Sequence, residues 1–210
     1  MKAAKPLWRQ ELYLKSNKNQ CDVRKEISAM HLYEETVESK VMFEGRVVTV
    51  CSDKARLEDG KIAGRDLVIH PGGVCIVPLT DDNEVIMVKQ FRYAFKTVLL
   101  EVPAGKLEPG EDPAESGKRE LSEEIGARCD SYDYLGVCYP SVAYLTEKIH
   151  IYLARGLHFG ETHYDEDEHM DIVRIPLEKA YEMVLNNEIP DAKTQIAIMK
   201  TYNIVFDGKK

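Results

Sequence analysis

Three glutamates, Glu120, Glu123 and Glu124, stand at positions i, i+3 and i+4. On a helix they share one face, because residues three and four apart are neighbours on a helical surface. Like charges so close repel, and a cation placed among them removes that cost. Hard divalent ions such as Mg²⁺ take oxygen ligands and keep waters or substrate phosphates in their remaining positions. A cation-holding face is therefore one reading of this spacing, and a solvated acidic face is the other. The helix itself is well marked. Ala114, Gly117, Leu121 and Ile125 recur at roughly helical spacing over Pro113–Ile125. Asp112 is a plausible N-cap with Pro113 at the first helical position, and Gly126 a C-cap.

The elements around this helix read mostly as strands. Val41–Phe43 and Val47–Val50 flank Glu44-Gly45-Arg46, and residues 53–60 end in the hairpin signal Glu58-Asp59-Gly60. Strands are expected at Arg65–His70, Val74–Leu79, Glu84–Phe91 and Thr97–Val102, and again over 132–139, 148–154 and 169–175. Val74–Leu79 is nearly all apolar and reads as a central buried strand. Two helices, Leu177–Asn187 and Asp191 to about Val205, close the chain. This order implies an α/β sandwich of helices around a mixed sheet.

Composition bounds the function. The 210 residues are 44% hydrophobic and 30% charged, ordinary for a globular protein. No stretch approaches the ~18 consecutive apolar residues of a membrane span. The net charge of -8 favours solubility, suits a protein that gathers divalent cations, and disfavours nucleic acid as a partner. Residues 1–29 differ, with seven Lys and Arg against three Asp and Glu. They read as an extension to which no chemistry is assigned. No apolar run follows Met1, which argues against a secretory signal and for a cytoplasmic location. The five cysteines include no CxxC pair. Cys51, Cys75 and Cys138 sit in apolar runs and read as small buried residues in a reducing cytosol.

The segment Gly105–Ala127, GKLEPGEDPAESGKRELSEEIGA, resembles the Nudix box, G-x5-E-x7-R-E-U-x-E-E-x-G-U, where U is bulky and aliphatic. Gly105, Glu111, Arg119, Glu120, Glu123, Glu124 and Gly126 fill every fixed position. The last aliphatic position holds the smaller Ala127. The resemblance implies a Nudix α/β/α sandwich with a loop–helix–loop catalytic motif, and a Mg²⁺ cofactor with Mn²⁺ as a possible substitute. It implies Glu120 and Glu124 as the principal metal ligands, completed by the backbone carbonyl at Ala104, with Glu123 assisting. Glu111 and Arg119 are expected to pair and brace the motif. Gly105 would let the backbone pass close to the metal.

Beyond the box, Arg65-x4-His70-Pro71-Gly72-Gly73, Lys89–Tyr93, Leu99–Gly105 and Asp191–Thr194 resemble the ADP-ribose pyrophosphatase branch. That resemblance implies hydrolysis of ADP-ribose, or a related nucleoside diphosphate sugar, to AMP and ribose 5-phosphate. In the acidic loop Asp165–Glu168 it implies Glu166 as base and Glu168 as a further metal contact. Arg65, Arg92 and Glu101 fall at substrate-binding positions. Arg92 alternatively forms a surface ion pair, and Phe43 either faces adenine or packs in a core. The domain organisation implied is an extension over 1–29, strands for dimerisation and the substrate site over 30–70, and the hydrolase domain over 71–210. A homodimer follows, since strands added outside a compact core leave edges that symmetric pairing covers. One departure stands out: Val142-Ala143 replace the branch's Pro-Gly. Other nucleotide sugars, dinucleotides and oxidised nucleoside triphosphates thus stay open as substrates. A non-catalytic ADP-ribose sensor is the reading from another class; retention of the box glutamates and the lack of a basic recognition helix favour the enzyme.

Overall fold

A computed structural model describes residues 32–162 and 169–208. They divide into two compact units, one made of residues 32–41 and Cys51–Asp66, the other of Met42–Val50, residues 67–162 and residues 169–208. The proposed extension over 1–29 lies outside the described residues.

A three-stranded sheet orders β1 (Glu35–Glu44), β2 (Thr49–Arg56) and β3 (Ile62–Ile69) consecutively. The β2–β3 turn falls on the expected Glu58-Asp59-Gly60, where Gly60 takes a positive φ of 83° and Leu57 and Lys61 close the loop. The strand expected only over Val41–Phe43 begins at Glu35. Its residues are almost all exposed, so no apolar alternation marks it in the sequence.

The second sheet has seven strands. Its backbone order is β10 (Met170–Pro176), β5 (Glu84–Arg92), β4 (Gly73–Leu79), β9 (Ile149–Phe159) and β8 (Ala127–Cys138). The strand β6 (Thr97–Glu101) pairs with β5, and β7 (Ala104–Lys106) with β4. Only the β4–β9 pairing among these is parallel, which makes the sheet mixed. Helix α1 (Pro113–Ile125) packs on one face, and α2 (Leu177–Leu185) with α3 (Ala192–Phe206) on the other.

Strand β4 shows why the sandwich forms. All seven residues are buried, as its unbroken apolar run leads one to expect of a strand covered on both faces. Successive side chains point to opposite sides. Val74 and Ile76 therefore join Leu121 and Ile125 of α1 in one core, whereas Cys75, Val77 and Leu79 join Leu177, Ala180, Ala197 and Ile198 of α2 and α3 in the other.

Several boundaries differ from the sequence reading. Strand β8 starts at Ala127, not 132, because Gly126 reverses the chain at φ 64° and Ala127 pairs at once with Phe159. The small Ala127 is fully buried. Helix α2 stops at Leu185, where Asn187 turns left-handed at φ 58° and Glu188 donates back to the Met183 carbonyl. Cys51 and Cys75 are buried as expected, but Cys138 is only half-buried, because the final residue of β8 faces a cavity. No helix among the described residues is long and apolar enough to cross a membrane.

Candidate active site

Helix α1 is fixed at both ends by its own residues. The Asp112 carboxylate accepts from the Ala114 and Glu115 amides at 2.9 and 3.4 Å, and Gly126 caps the last turn through Leu121 and Ser122 carbonyls. A Cβ at Gly126 would lie 2.7 Å from the Gly160 carbonyl oxygen, so both the positive φ and the space demand glycine.

The same helix turns its acidic face onto the backbone of Ala104 and Gly105. Glu124 is buried, and its Oε2 accepts from the Ala104 amide at 3.1 Å. Glu120 is also buried, and its carboxylate occupies the space where any side chain at Gly105 would begin. Glu123 points elsewhere, half-exposed and 2.8 Å from Arg119 Nη1. Arg119 Nη1 also lies 2.8 Å from Glu120, while its Nε and Nη2 donate to Glu111 at 3.0 and 3.2 Å. One guanidinium thus ties the entry loop, through Glu111, to two turns of the helix.

That pairing has a measurable consequence. Hydrogen bonds from Arg119 chiefly, with the Glu108 amide and Ser116, hold the Glu111 carboxyl down at about 2, against an ordinary 4.5. A depressed carboxyl contributes stability above its unfolded value and loses it as pH falls toward the folded one. The expected result is that thermal stability declines between about pH 4.5 and 2, and that Glu111→Gln flattens this part of the decline. Melting temperature against pH for both proteins is the check. Parallel curves would show that Glu111 does not contribute.

Each residue of the segment leading to Gly105 is held by a different neighbour. The Glu101 carboxylate accepts from Arg92 Nε and Nη2 at 2.5 and 2.6 Å and also from Lys193 Nζ. The Val102 amide donates to Thr194 Oγ1 at 3.0 Å. The Pro103 carbonyl accepts from Ile76 at 2.9 Å, and Ala104 is held by Glu124 as above. Strands β4 and β5 and helices α1 and α3 therefore converge on four consecutive residues. Burial by itself would raise the Glu101 carboxyl; the Arg92 hydrogen bonds and the Lys193 charge outweigh it and hold it below the usual range.

Beside this segment lies a cavity of about 480 Å³. Its wall includes His70, Arg92, Ala104, Gly105, Glu147 and Lys193. Arg92 lines the cavity, and the carboxylate that it pairs with through Nε and Nη2 is buried, which removes the surface-ion-pair alternative. Arg65 lies in the first unit, exposed and paired with Glu34 at 2.5 Å. Phe43 is 58% exposed, which removes the core-packing alternative. Glu166 and Glu168 lie outside the described residues. The sequence reading assigned nothing to Lys193 and Asp191 individually. Their only signal was the Asp191–Thr194 string, because Glu101 is 92 residues away along the chain.

Among the described residues no three His, Cys, Asp or Glu side chains are gathered for a metal. The donors on offer are the Glu120 and Glu124 carboxylates and the backbone at Ala104–Gly105. All are oxygens, two are anionic, and the lack of a side chain at Gly105 lets the Glu120 carboxylate come close to the backbone. That set fits a hard divalent cation with room for waters and phosphate oxygens.

The comparisons agree with this geometry. The NUDIX domain model matches residues 69–197. The chain is 38% identical over 167 residues to the methanol dehydrogenase activator of Bacillus methanolicus, covering 79% of this chain and 90% of that one. It is 37% identical over 169 residues to the ADP-ribose pyrophosphatase of Bacillus subtilis, covering 80% and 91%. An ADP-ribose pyrophosphatase of Mycobacterium tuberculosis is 33% identical over 159 residues, covering 74% and 76%. A crystal structure of an ADP compounds hydrolase superposes with a TM-score of 0.76 at 22% identity, over 87% of this chain and all of that one, and so shares the fold. Hydrolases of this family generally use a divalent metal. The family model spans more than half of the chain and coincides with the sandwich and its acidic helix, so the chain belongs to the NUDIX family.

Proposed function

We propose that the chain hydrolyses the pyrophosphate of ADP-ribose, or of a closely related nucleoside diphosphate sugar, to AMP and ribose 5-phosphate. The observation that carries this reading is the convergence of buried Glu120 and Glu124 on the Ala104–Gly105 backbone, at the edge of a cavity that also holds Arg92. Two of the relatives named above are ADP-ribose pyrophosphatases.

Glu120, Glu124 and the Ala104 carbonyl would hold Mg²⁺, or Mn²⁺ in its place. When bound, the ion supplies positive charge to the diphosphate oxygens. Arg92, already oriented by Glu101, offers its remaining N–H groups to a phosphate oxygen. Glu101 acts on the substrate through that arginine. Arg119 and Glu111 keep α1 and its entry loop in register, with Glu123 as a further partner of Arg119. By the family resemblance, Glu166 would take the proton of the attacking water and Glu168 would add a metal contact. Arg65 and Phe43, on the N-terminal strands, would contact the nucleotide in the site of a partner copy. The protein mainly positions groups and stabilises charge. The five cysteines, with no CxxC pair, suit a cytoplasmic enzyme.

The test is a substrate panel with Mg²⁺: ADP-ribose, other nucleotide sugars, dinucleotides and oxidised triphosphates. ADP-ribose is expected to give the highest kcat/KM. A higher value for another class would replace the substrate, and no turnover of any would favour a sensor.

The active form is a homodimer paired through the three-stranded sheet. Val37, Val41, Met42, Phe43 and Ile62 leave that sheet with exposed apolar side chains, which a second copy would cover. Sedimentation at micromolar concentration is expected to give twice the 23.9 kDa chain mass. A fully active monomer would overturn the dimer.

A further inference from the structure

Arg92, Lys193 and Asp191 line the cavity and complete a charge quartet with buried Glu101, of which the proposed reaction uses Arg92 and, through it, Glu101. Arg92 and Lys193 supply two positive charges, Glu101 and Asp191 two negative ones. Lys193 is nearly buried, its ammonium on Glu101 and 2.9 Å from Asp191. Glu101 is almost fully buried beneath both cations. Asp191 is anchored in turn as the N-cap of α3, accepting from the Thr194 amide at 3.0 Å and from its hydroxyl at 2.6 Å. The same Thr194 hydroxyl accepts from Val102, the residue after Glu101. Every donor direction of Lys193 that the structure pairs goes to a carboxylate of the chain itself.

We propose that Lys193 is a positioning residue for the substrate site: anchored by Asp191 at the start of α3, it acts through Glu101 to hold the Arg92 guanidinium at the cavity wall. A long arginine side chain loses rotamer freedom on binding a ligand, and ordering it beforehand lowers that cost. Glu101 can order Arg92 only if Glu101 is itself fixed. Held by Arg92 alone, a carboxylate and a guanidinium would move together; Lys193 ties the pair to a helix that packs in the core. Lys193 stays charged in this setting. Burial would lower it, and the Asp191 and Glu101 charges outweigh burial and raise it above its ordinary value.

This inference rests on the reading that the cavity takes a nucleoside diphosphate, so its test has one arm that does not. In the ligand-free protein, the solvent exchange rate of the Arg92 Nε proton is measured by NMR, its signal identified by loss in Arg92→Lys. Lys193→Met is expected to speed this exchange at least about tenfold, since a fixed ion pair protects the proton. In the second arm, Lys193→Met raises KM for ADP-ribose about tenfold with kcat changed less than about threefold, the signature of lost binding rather than lost chemistry. The double variant with Arg92→Lys then matches Arg92→Lys alone, because residues acting through one another are non-additive. Unchanged exchange, or effects that multiply, would overturn the proposal and make Lys193 an independent contact. Asp191→Asn retains a good N-cap and gives the same two readouts at smaller size should Lys193→Met not fold. If the wild type does not turn over ADP-ribose, the substrate reading falls and the exchange arm alone decides the role of Lys193.

Discussion

Glu124→Gln is expected to fold normally and to lose at least about a hundredfold in kcat, a barrier rise of about 2.7 kcal/mol. Shape hardly changes. The glutamine carbonyl oxygen can still accept from Ala104, the contact that joins α1 to the end of the Glu101–Gly105 segment. What disappears is the negative charge at a buried donor. Removing one of two acidic groups a turn apart on one face also relieves repulsion in the metal-free protein, so the melting temperature should hold or rise. Activity at saturating Mg²⁺ and a melting curve are measured side by side. More than about a tenth of wild-type kcat, under ~1.4 kcal/mol, would remove Glu124 from the ligand set. A collapse of the fold would show that its role is structural.

Gly105→Ala is the sharper test of geometry. The added methyl would overlap the Glu120 carboxylate, the far end of a flexible side chain. Gly105 is not among the positive-φ glycines, so alanine is compatible with its backbone. Overpacking of this kind costs about 1–2 kcal/mol, a fall of about 3–8 °C in melting temperature. Activity should suffer far more, because the carboxylate must leave the position from which it faces the Ala104–Gly105 backbone. We expect kcat/KM to fall at least about thirtyfold, or ~2 kcal/mol of transition-state stabilisation. A variant with over a third of wild-type kcat/KM would show that the close approach of Glu120 is dispensable. The two substitutions touch different carboxylates by different means, one by charge and one by displacement, so agreement between them cannot come from a shared artefact of folding.

The contrast between these two residues marks what the sequence by itself determined. The acidic face of α1 was legible because its causes are local. Asp112, Pro113 and Gly126 set the helix ends, and the i, i+3, i+4 spacing sets the face, all within fifteen residues. The unbroken apolar run of β4 likewise told of a strand covered on both sides, and with the strand–helix order it fixed the sandwich. Membership of the family followed from the box.

Tertiary structure decided what those elements meet. Which carboxylate lies against Gly105 depends on how α1 seats across β7, a strand of three residues too short to leave a pattern. The burial of Glu101 and its capture by Lys193 depend on β6 and α3 arriving together from distant parts of the chain. Arg92 could be read as a phosphate contact or a surface ion pair, because either suits an isolated arginine. Its actual pairing with a buried acid required β5 and β6 to be neighbours, with Arg92 and Glu101 at hydrogen-bonding reach. Periodicity records the side of an element that is covered. It carries no record of the partner that covers it, and the partners are what give this site its charge balance.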